Sequence, residues 1–151
     1  MIRLLDTDTF IFLLRGTALA APRTAREKSV ALSALRIRDR CRKESGEGWR
    51  IALSAISLAE LEFGLRAGGR YDEKLPAMRQ LLLPFEQFAF DPVECVHHYG
   101  QIRAALEKGG NPIGPLDLLI AAHALALNAT LITRNTREFR RVPGLKIDDW
   151  S

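Results

Sequence analysis

The sequence predicts an α/β domain in three layers, with a central, mainly parallel sheet flanked by helices on both faces. Three observations lead there. Short runs of apolar and β-branched residues alternate with segments of helical period along the whole chain. Several of those runs close on an acid or a polar residue, the position that faces the crevice at the carboxyl edge of such a sheet. Finally, 151 residues, 47% of them apolar and 26% charged, suffice for the core of one domain covering residues 1–151 and leave no room for a second.

Each element has its local reason. Ile2 to Leu5 is a short apolar run closed by Asp6, and Thr7 to Arg15 continues with helical spacing, so strand, turn and helix follow in order. Residues 23–49 form an extended basic segment whose helical stretch, Arg23 to Lys43, stops at S-G-E-G. Ile51 to Leu53 predicts the second strand. Ser54 to Leu65 predicts the next helix, with Ser57 as N-cap and Glu60 three residues on, the spacing of a capping box. Asp72 to Leu83 is a further helix and Phe85 to Asp91 a strand. Pro92 then opens a helix that runs to about Lys108. The loop G-G-N-P-I-G-P stops it. Leu116 to Leu127, rich in Ala and Leu, reads as a helix buried on more than one face, with Asp117 in its first turn. Thr130 to Thr133 is a strand, Arg137 to Val142 a short helical turn and Leu145 to Ile147 a last strand.

Composition excludes several classes. The apolar runs are far shorter than the roughly 18 to 20 residues of a membrane span, and Met1 to Asp8 lacks the layout of a signal peptide, so a cytoplasmic protein is expected. Cys41 and Cys95 show neither C-x-x-C spacing nor a histidine at ligand distance, which argues against zinc and against a disulfide framework. Lys plus Arg number 22 against 18 for Asp plus Glu, a balance compatible with a polyanionic partner. No Gly-rich phosphate loop follows the first strand, and no Ser or Cys nucleophile stands out. His97, His98 and His123 lie in helical contexts that suit structural roles.

Four patches carry the chemistry: Asp6 in L-L-D-T-D, Glu60 in L-A-E-L-E, Asp117 in G-P-L-D-L-L, and the run Thr133-Arg134-Asn135-Thr136. Asp6 directly follows a strand. Glu60 and Asp117, on the first turns of their helices, can reach the same edge, and Asn135 sits just past a strand. Gathered carboxylates repel and raise one another's pKa unless a cation lies between them. Hard oxygen ligands suit Mg²⁺ or Mn²⁺, and such an ion activates water and offsets charge on a phosphodiester undergoing hydrolysis. Each acid also has a plain structural reading: Asp6 as a helix N-cap, Glu60 in a capping box, Asp117 complementing a helix dipole, Asp8 facing solvent. The joint pattern is what points to a metal-dependent phosphodiesterase.

The motifs L-L-D-T-D (4–8), S-L-A-E-L-E-F-G (57–64), I-G-P-L-D-L-L-I-A-A-H-A (113–124) and L-I-T-R-N-T-R-E-F-R-R-V-P-G-L (131–145) together resemble the PIN-domain ribonucleases, and among them the VapC-type toxins of type II toxin-antitoxin pairs. The resemblance implies a Mg²⁺-dependent endoribonuclease (Mn²⁺ also serving) that cuts structured RNA, tRNA or rRNA. It also implies a homodimer, neutralised by a cognate VapB-type antitoxin whose C-terminal segment covers the crevice. It places metal-binding acids at Asp6 and Asp117, a helix-borne catalytic acid at Glu60 and the fourth catalytic position at Asn135, with Thr133 as companion hydroxyl and Asp8 in support. Asn135 is an amide at a position where some members carry Asp and others Asn. Residues 23–49 are longer than the family's usual segment, which suggests a solvated or docking surface. The competing expectation is a catalytically silent PIN-fold module that binds RNA or protein.

Overall fold

The computed structural model describes all 151 residues. Five strands, β1 (Ile2–Leu5), β2 (Arg50–Ser54), β3 (Glu86–Phe88), β4 (Thr130–Ile132) and β5 (Lys146–Asp148), form one sheet in the order β3-β2-β1-β4-β5. Every pairing is parallel. Seven helices connect them: α1 (Thr7–Thr17), α2 (Ala25–Gly46), α3 (Ala55–Ala67), α4 (Tyr71–Leu82), α5 (Glu94–Lys108), α6 (Pro115–Ala126) and α7 (Thr136–Phe139). None is long and apolar enough to cross a membrane.

Side chains alternate across each strand, and the alternation divides the core in two. Leu4, Ala52 and Leu131 point to one face, where they meet Ile102 and Leu106 of α5, Ile120 and Ala124 of α6, and Phe139 of α7. Leu5, Ile51, Leu53 and Ile132 point to the other, against Phe10 and Leu13 of α1, Ala34 and Ile37 of α2, Leu61 of α3 and Met78 of α4. The helices therefore lie in two layers around a fully parallel sheet, as the alternating pattern predicts. The chain winds outward from β1 through β2 to β3, then returns to the centre as β4. The switch point of the sheet thus lies between β1 and β4, and the backbone N–H of Asp6 donates to the Ile132 carbonyl across it at 3.0 Å.

The long basic helix α2 packs along α1 through Ala34 and Ile37, and Gly16 of α1 makes that approach feasible. A Cβ at Gly16 would sit 2.2 Å from the Ala34 Cβ and 3.0 Å from the Val30 carbonyl. Thr24 caps α2 in a full capping box with Glu27, so the helix starts at Ala25 rather than at Arg23 and runs on to Gly46.

Three sequence expectations need correcting. Ser57 is not the cap of α3. Strand β2 continues through Ser54, and Ser54 accepts the Ile56 N–H at 3.0 Å, so Ser57 lies buried in the first turn and Glu60 in the second, outside any capping box. The strand expected over Phe85 to Asp91 is only Glu86–Phe88. Its sole partner, β2, ends at Ser54 opposite Phe88, and no backbone remains to pair with the residues beyond. Helix α5 starts at Glu94 instead of Pro92, because the Asp91 carboxylate accepts from the N–H groups of Val93 (2.9 Å) and Glu94 (2.6 Å).

Candidate active site

Asp6 leaves the carboxyl end of β1 and is 3% exposed. It caps α1 by accepting the Thr9 N–H at 2.7 Å on one oxygen, while the other accepts a short hydrogen bond from the Thr133 hydroxyl at the end of β4. The cap expected of Asp6 and its place at the carboxyl edge of the sheet thus coincide in one geometry. Burial raises the Asp6 pKa above the ordinary carboxylate value, against the bonds from Thr133 and Thr9, which lower it. Thr133 is fully buried, and its Oγ also accepts the Asn135 N–H at 2.9 Å.

Glu60 reaches the same edge from the second turn of α3. The Thr7 hydroxyl, at the start of α1, lies 2.7 Å from Glu60 Oε1 and 3.0 Å from the Ser57 hydroxyl. One hydroxyl carries one proton, so Thr7 donates to the carboxylate and accepts from Ser57. Asp8, in the first turn of α1, is exposed.

Asp117 lies half-buried in the first turn of α6. Its pKa is pushed up to about 7 by burial first, then by the charges of Glu138, Asp6, Asp8 and Glu60 in that order. Asp6, Asp8 and Glu60 are therefore all within electrostatic reach of Asp117. Glu138 completes the group and was not nominated from the sequence. It accepts the Gly114 N–H at 2.8 Å on one oxygen and the Asn135 side-chain amide at 2.8 Å on the other, both of which hold its pKa down. A Cβ at Gly114 would sit 3.7 Å from an Asp117 oxygen and 3.8 Å from a Glu138 oxygen, so both carboxylates overhang the same glycine. The signal for Glu138 was present: it falls three residues after Asn135 on a helical turn, which puts the two on one face.

None of Asp6, Asp8, Glu60 and Asp117 pairs with a Lys or Arg. No three His, Cys, Asp or Glu side chains are drawn together into a ready-made metal cage. The donor set nevertheless fits a hard divalent cation: all-oxygen, anionic, partly desolvated and without a counter-charge of its own. Each hydrogen-bonded carboxylate retains lone pairs for an ion.

His123 takes no part in this edge. It is buried in α6 with Nδ1 2.7 Å from the Ser54 hydroxyl and its ring edge-on to Phe90, and burial lowers its pKa. It joins α6 to the start of α3, the structural role expected of it.

Residues 3–145 match the family model of the PIN domain. Ribonuclease VapC2 of Rickettsia felis is 41% identical over 100 residues, 66% of this chain and 74% of that protein. The tRNA(fMet)-specific endonuclease VapC of Salmonella typhimurium is 37% identical over 101 residues, 67% of this chain and 76% of that one. Among solved structures, VapBC2 from Rickettsia felis bound to a DNA fragment from its promoter superposes with a TM-score of 0.84 at 29% identity, covering 100% of both chains. With the acids at the switch point and a match from the first strand almost to the last, the chain belongs to the PIN domain family, among its VapC proteins.

Proposed function

We propose that this chain is a Mg²⁺-dependent endoribonuclease toxin, one catalytic domain that cleaves structured RNA, tRNA or rRNA, in the cytoplasm and is held inactive by a VapB-type antitoxin. The observation that carries the reading is a set of five carboxylates around the sheet's switch point, Asp6, Asp8, Glu60, Asp117 and Glu138, the first four without a basic partner, with Asp117 pushed up to about 7. Such an arrangement raises the energy of the metal-free protein and favours whatever brings positive charge to it.

Asp6 and Asp117 would hold the ion, Mg²⁺ or Mn²⁺, with Asp8 in support. When bound, the ion supplies Lewis acidity and charge compensation at the phosphate. The rest falls to side chains. Thr133 fixes the rotamer of Asp6. Thr7 holds Glu60 with one oxygen engaged and the other free to orient the attacking water and accept its proton. The Asn135 amide nitrogen is committed to Glu138, which leaves its carbonyl oxygen as a neutral ligand or acceptor. Glu138 thus returns an acid to the neighbourhood where Asn135 replaces one, and this favours activity over the silent-module alternative.

Support for the substrate and the partner comes from similar proteins. The Salmonella relative is named for a tRNA(fMet)-specific endonuclease activity, and the Rickettsia structure is a VapBC complex on promoter DNA. A homodimer is proposed on the family resemblance alone.

The deciding experiment incubates purified, antitoxin-free protein with total RNA in Mg²⁺, in Mn²⁺ and in EDTA, beside Asp117→Asn. Discrete metal-dependent fragments absent from the mutant are expected, and their ends identify the RNA. Intact RNA in every lane from a folded protein would replace the nuclease by the silent binding module.

A further inference from the structure

RNA is a polyanion, and an edge lined with carboxylates repels it, so some wall of the site must supply positive charge. One wall does. Beside Asp8 and Asn135 the edge opens into a cleft of about 440 Å³ whose other lining residues include Phe12, Arg15 and Arg134. Arg134 lies flat on Phe12, its guanidinium carbon 3.6 Å from the ring centroid. Neither Arg134 nor Arg15 pairs with a carboxylate, so both guanidinium groups beside the acids keep their charge for an outside partner.

Geometry explains why a stacked, unpaired guanidinium suits RNA. The ring fixes the guanidinium plane and leaves its in-plane N–H groups pointing outward, where they can grip two oxygens of one phosphate. Less conformational freedom is lost on binding than for a free arginine. Arg134 is exposed, so its guanidinium can also meet a nucleobase, which stacks on such planes only when it has left a helix. Asn135 adds a carbonyl oxygen, since its amide nitrogen is held by Glu138.

We propose that Arg134, backed by Phe12, and Arg15 form a subsite for an unpaired nucleotide flanking the bond to be cut, with the guanidinium groups on its phosphate and its base on the Arg134 face. The subsite rests on the nuclease reading for its place beside a cut. It accounts for how an acidic edge admits a polyanion, and it requires the RNA to be single-stranded where it enters.

The test measures binding apart from cleavage. Asp117→Asn protein in EDTA is titrated into a fluorescent RNA hairpin with an open loop and into a fully paired duplex of equal length, at several salt concentrations. Adding Arg134→Ala should weaken hairpin binding about tenfold and flatten the log–log salt slope by roughly one. Arg134→Lys should keep the slope and lose part of the affinity, because an ammonium supplies charge without the planar fork. Arg103→Ala, on a distant exposed pair, should change neither. On the otherwise wild-type enzyme, Arg134→Ala should raise KM with kcat within about threefold. Unchanged affinity and slope in a folded Arg134→Ala protein would overturn the subsite, as would duplex binding equal to hairpin binding. The two readings separate cleanly. RNA binding that depends on Arg134 in a protein that cuts nothing keeps the subsite and removes the nuclease, and cleavage indifferent to Arg134 does the reverse.

Discussion

Two groups of buried acid lie at opposite ends of the same sheet and are built on opposite plans. Toward the amino ends of the strands, Glu44 is 3% exposed and enclosed by two guanidinium groups: Arg3 at 2.9 Å, itself stacked on Trp49, and Arg40 at 2.9 Å, which lies over Trp150. At the carboxyl ends, Asp6 is equally buried but has only hydroxyl and N–H donors, with Asp117, Glu60 and Asp8 as its charged company. A carboxylate that serves the fold brings its cations with it. A carboxylate gathered with others and left without them is held at a cost to stability, which is the mark of a site awaiting an external charge.

Replacing the central acid should show the largest effect. On the proposed reading, Asp117→Asn removes an oxygen that would hold the ion and is expected to lower the rate of RNA cleavage by on the order of a thousandfold, measured with the RNA that the wild type cuts. The same substitution should leave the metal-free protein as stable or more so at neutral pH, since it deletes the charge that its neighbours oppose. Equal cleavage by the mutant would mean that the carboxyl-end acids are another structural cluster.

The reciprocal change belongs at the other end. Glu44→Gln leaves Arg3 and Arg40 without their shared counter-charge and is expected to cost about 3 kcal/mol in urea unfolding. Cleavage per folded molecule should stay within about twofold. A large loss of activity in folded Glu44→Gln protein would break the division of labour between the two ends.

The contrast also has a pH signature. Burial and its acidic neighbours push folded Asp117 up to about 7, well above the ordinary carboxylate value of about 4 that an unfolded chain approaches. Between these values the unfolded chain has released a proton that the folded one keeps, so each rise in pH favours unfolding. Metal-free stability should therefore fall from about pH 4 to about pH 7 and then level off, and the raised pKa of Asp6 acts in the same direction. Asp117 is half-buried and screened by water, so the change should be about 1 to 2 kcal/mol rather than the full value of the shift. Thermal melts across that range check the slope. Asp117→Asn should flatten it, and Mg²⁺ at pH 8 should raise the melting temperature of the wild type alone.

The sheet and most of its helices were legible because burial in this fold follows period: Leu4 and Leu5, or Leu131 and Ile132, alternate between the two cores as strand geometry demands. The acids were legible as a pattern because each lies near the junction of a strand or loop with the helix that follows: Asp6 closes β1, Asp117 sits in the first turn of α6 and Glu60 in the second turn of α3. What escaped were properties that depend on a neighbour distant in sequence. Ser54 rather than Ser57 caps α3 because β2 extends as far as its partner allows, and β3 stops at Phe88 for the same reason. Glu138 reads as one more charge in a basic run until Gly114, 24 residues earlier, donates its N–H to it. Arg134 gives no hint of its ring partner on α1, since Phe12 is 122 positions away by simple subtraction and the contact exists only through the β1–β4 pairing.

Thr133 offers the finest separation of the two plans, because it supports an acid without carrying charge. Thr133→Val keeps the shape of a fully buried side chain and removes the hydroxyl that bonds Asp6 and accepts the Asn135 N–H. The bond to Thr133 holds the Asp6 pKa down, so its loss should move Asp6 further up and make a proton a stronger competitor for the place of an ion. In a structural cluster the consequence would end there, as a lowered melting temperature. In an ion-holding one, apparent affinity for Mg²⁺ should fall roughly tenfold, the range seen when a supporting partner of a ligand is removed. Activity should then recover at high Mg²⁺ and at higher pH. Cleavage followed against Mg²⁺ at two pH values distinguishes the outcomes: a curve displaced to higher concentration with the same plateau assigns Thr133 to the ion, and a lowered plateau at an unchanged midpoint assigns it to the fold alone.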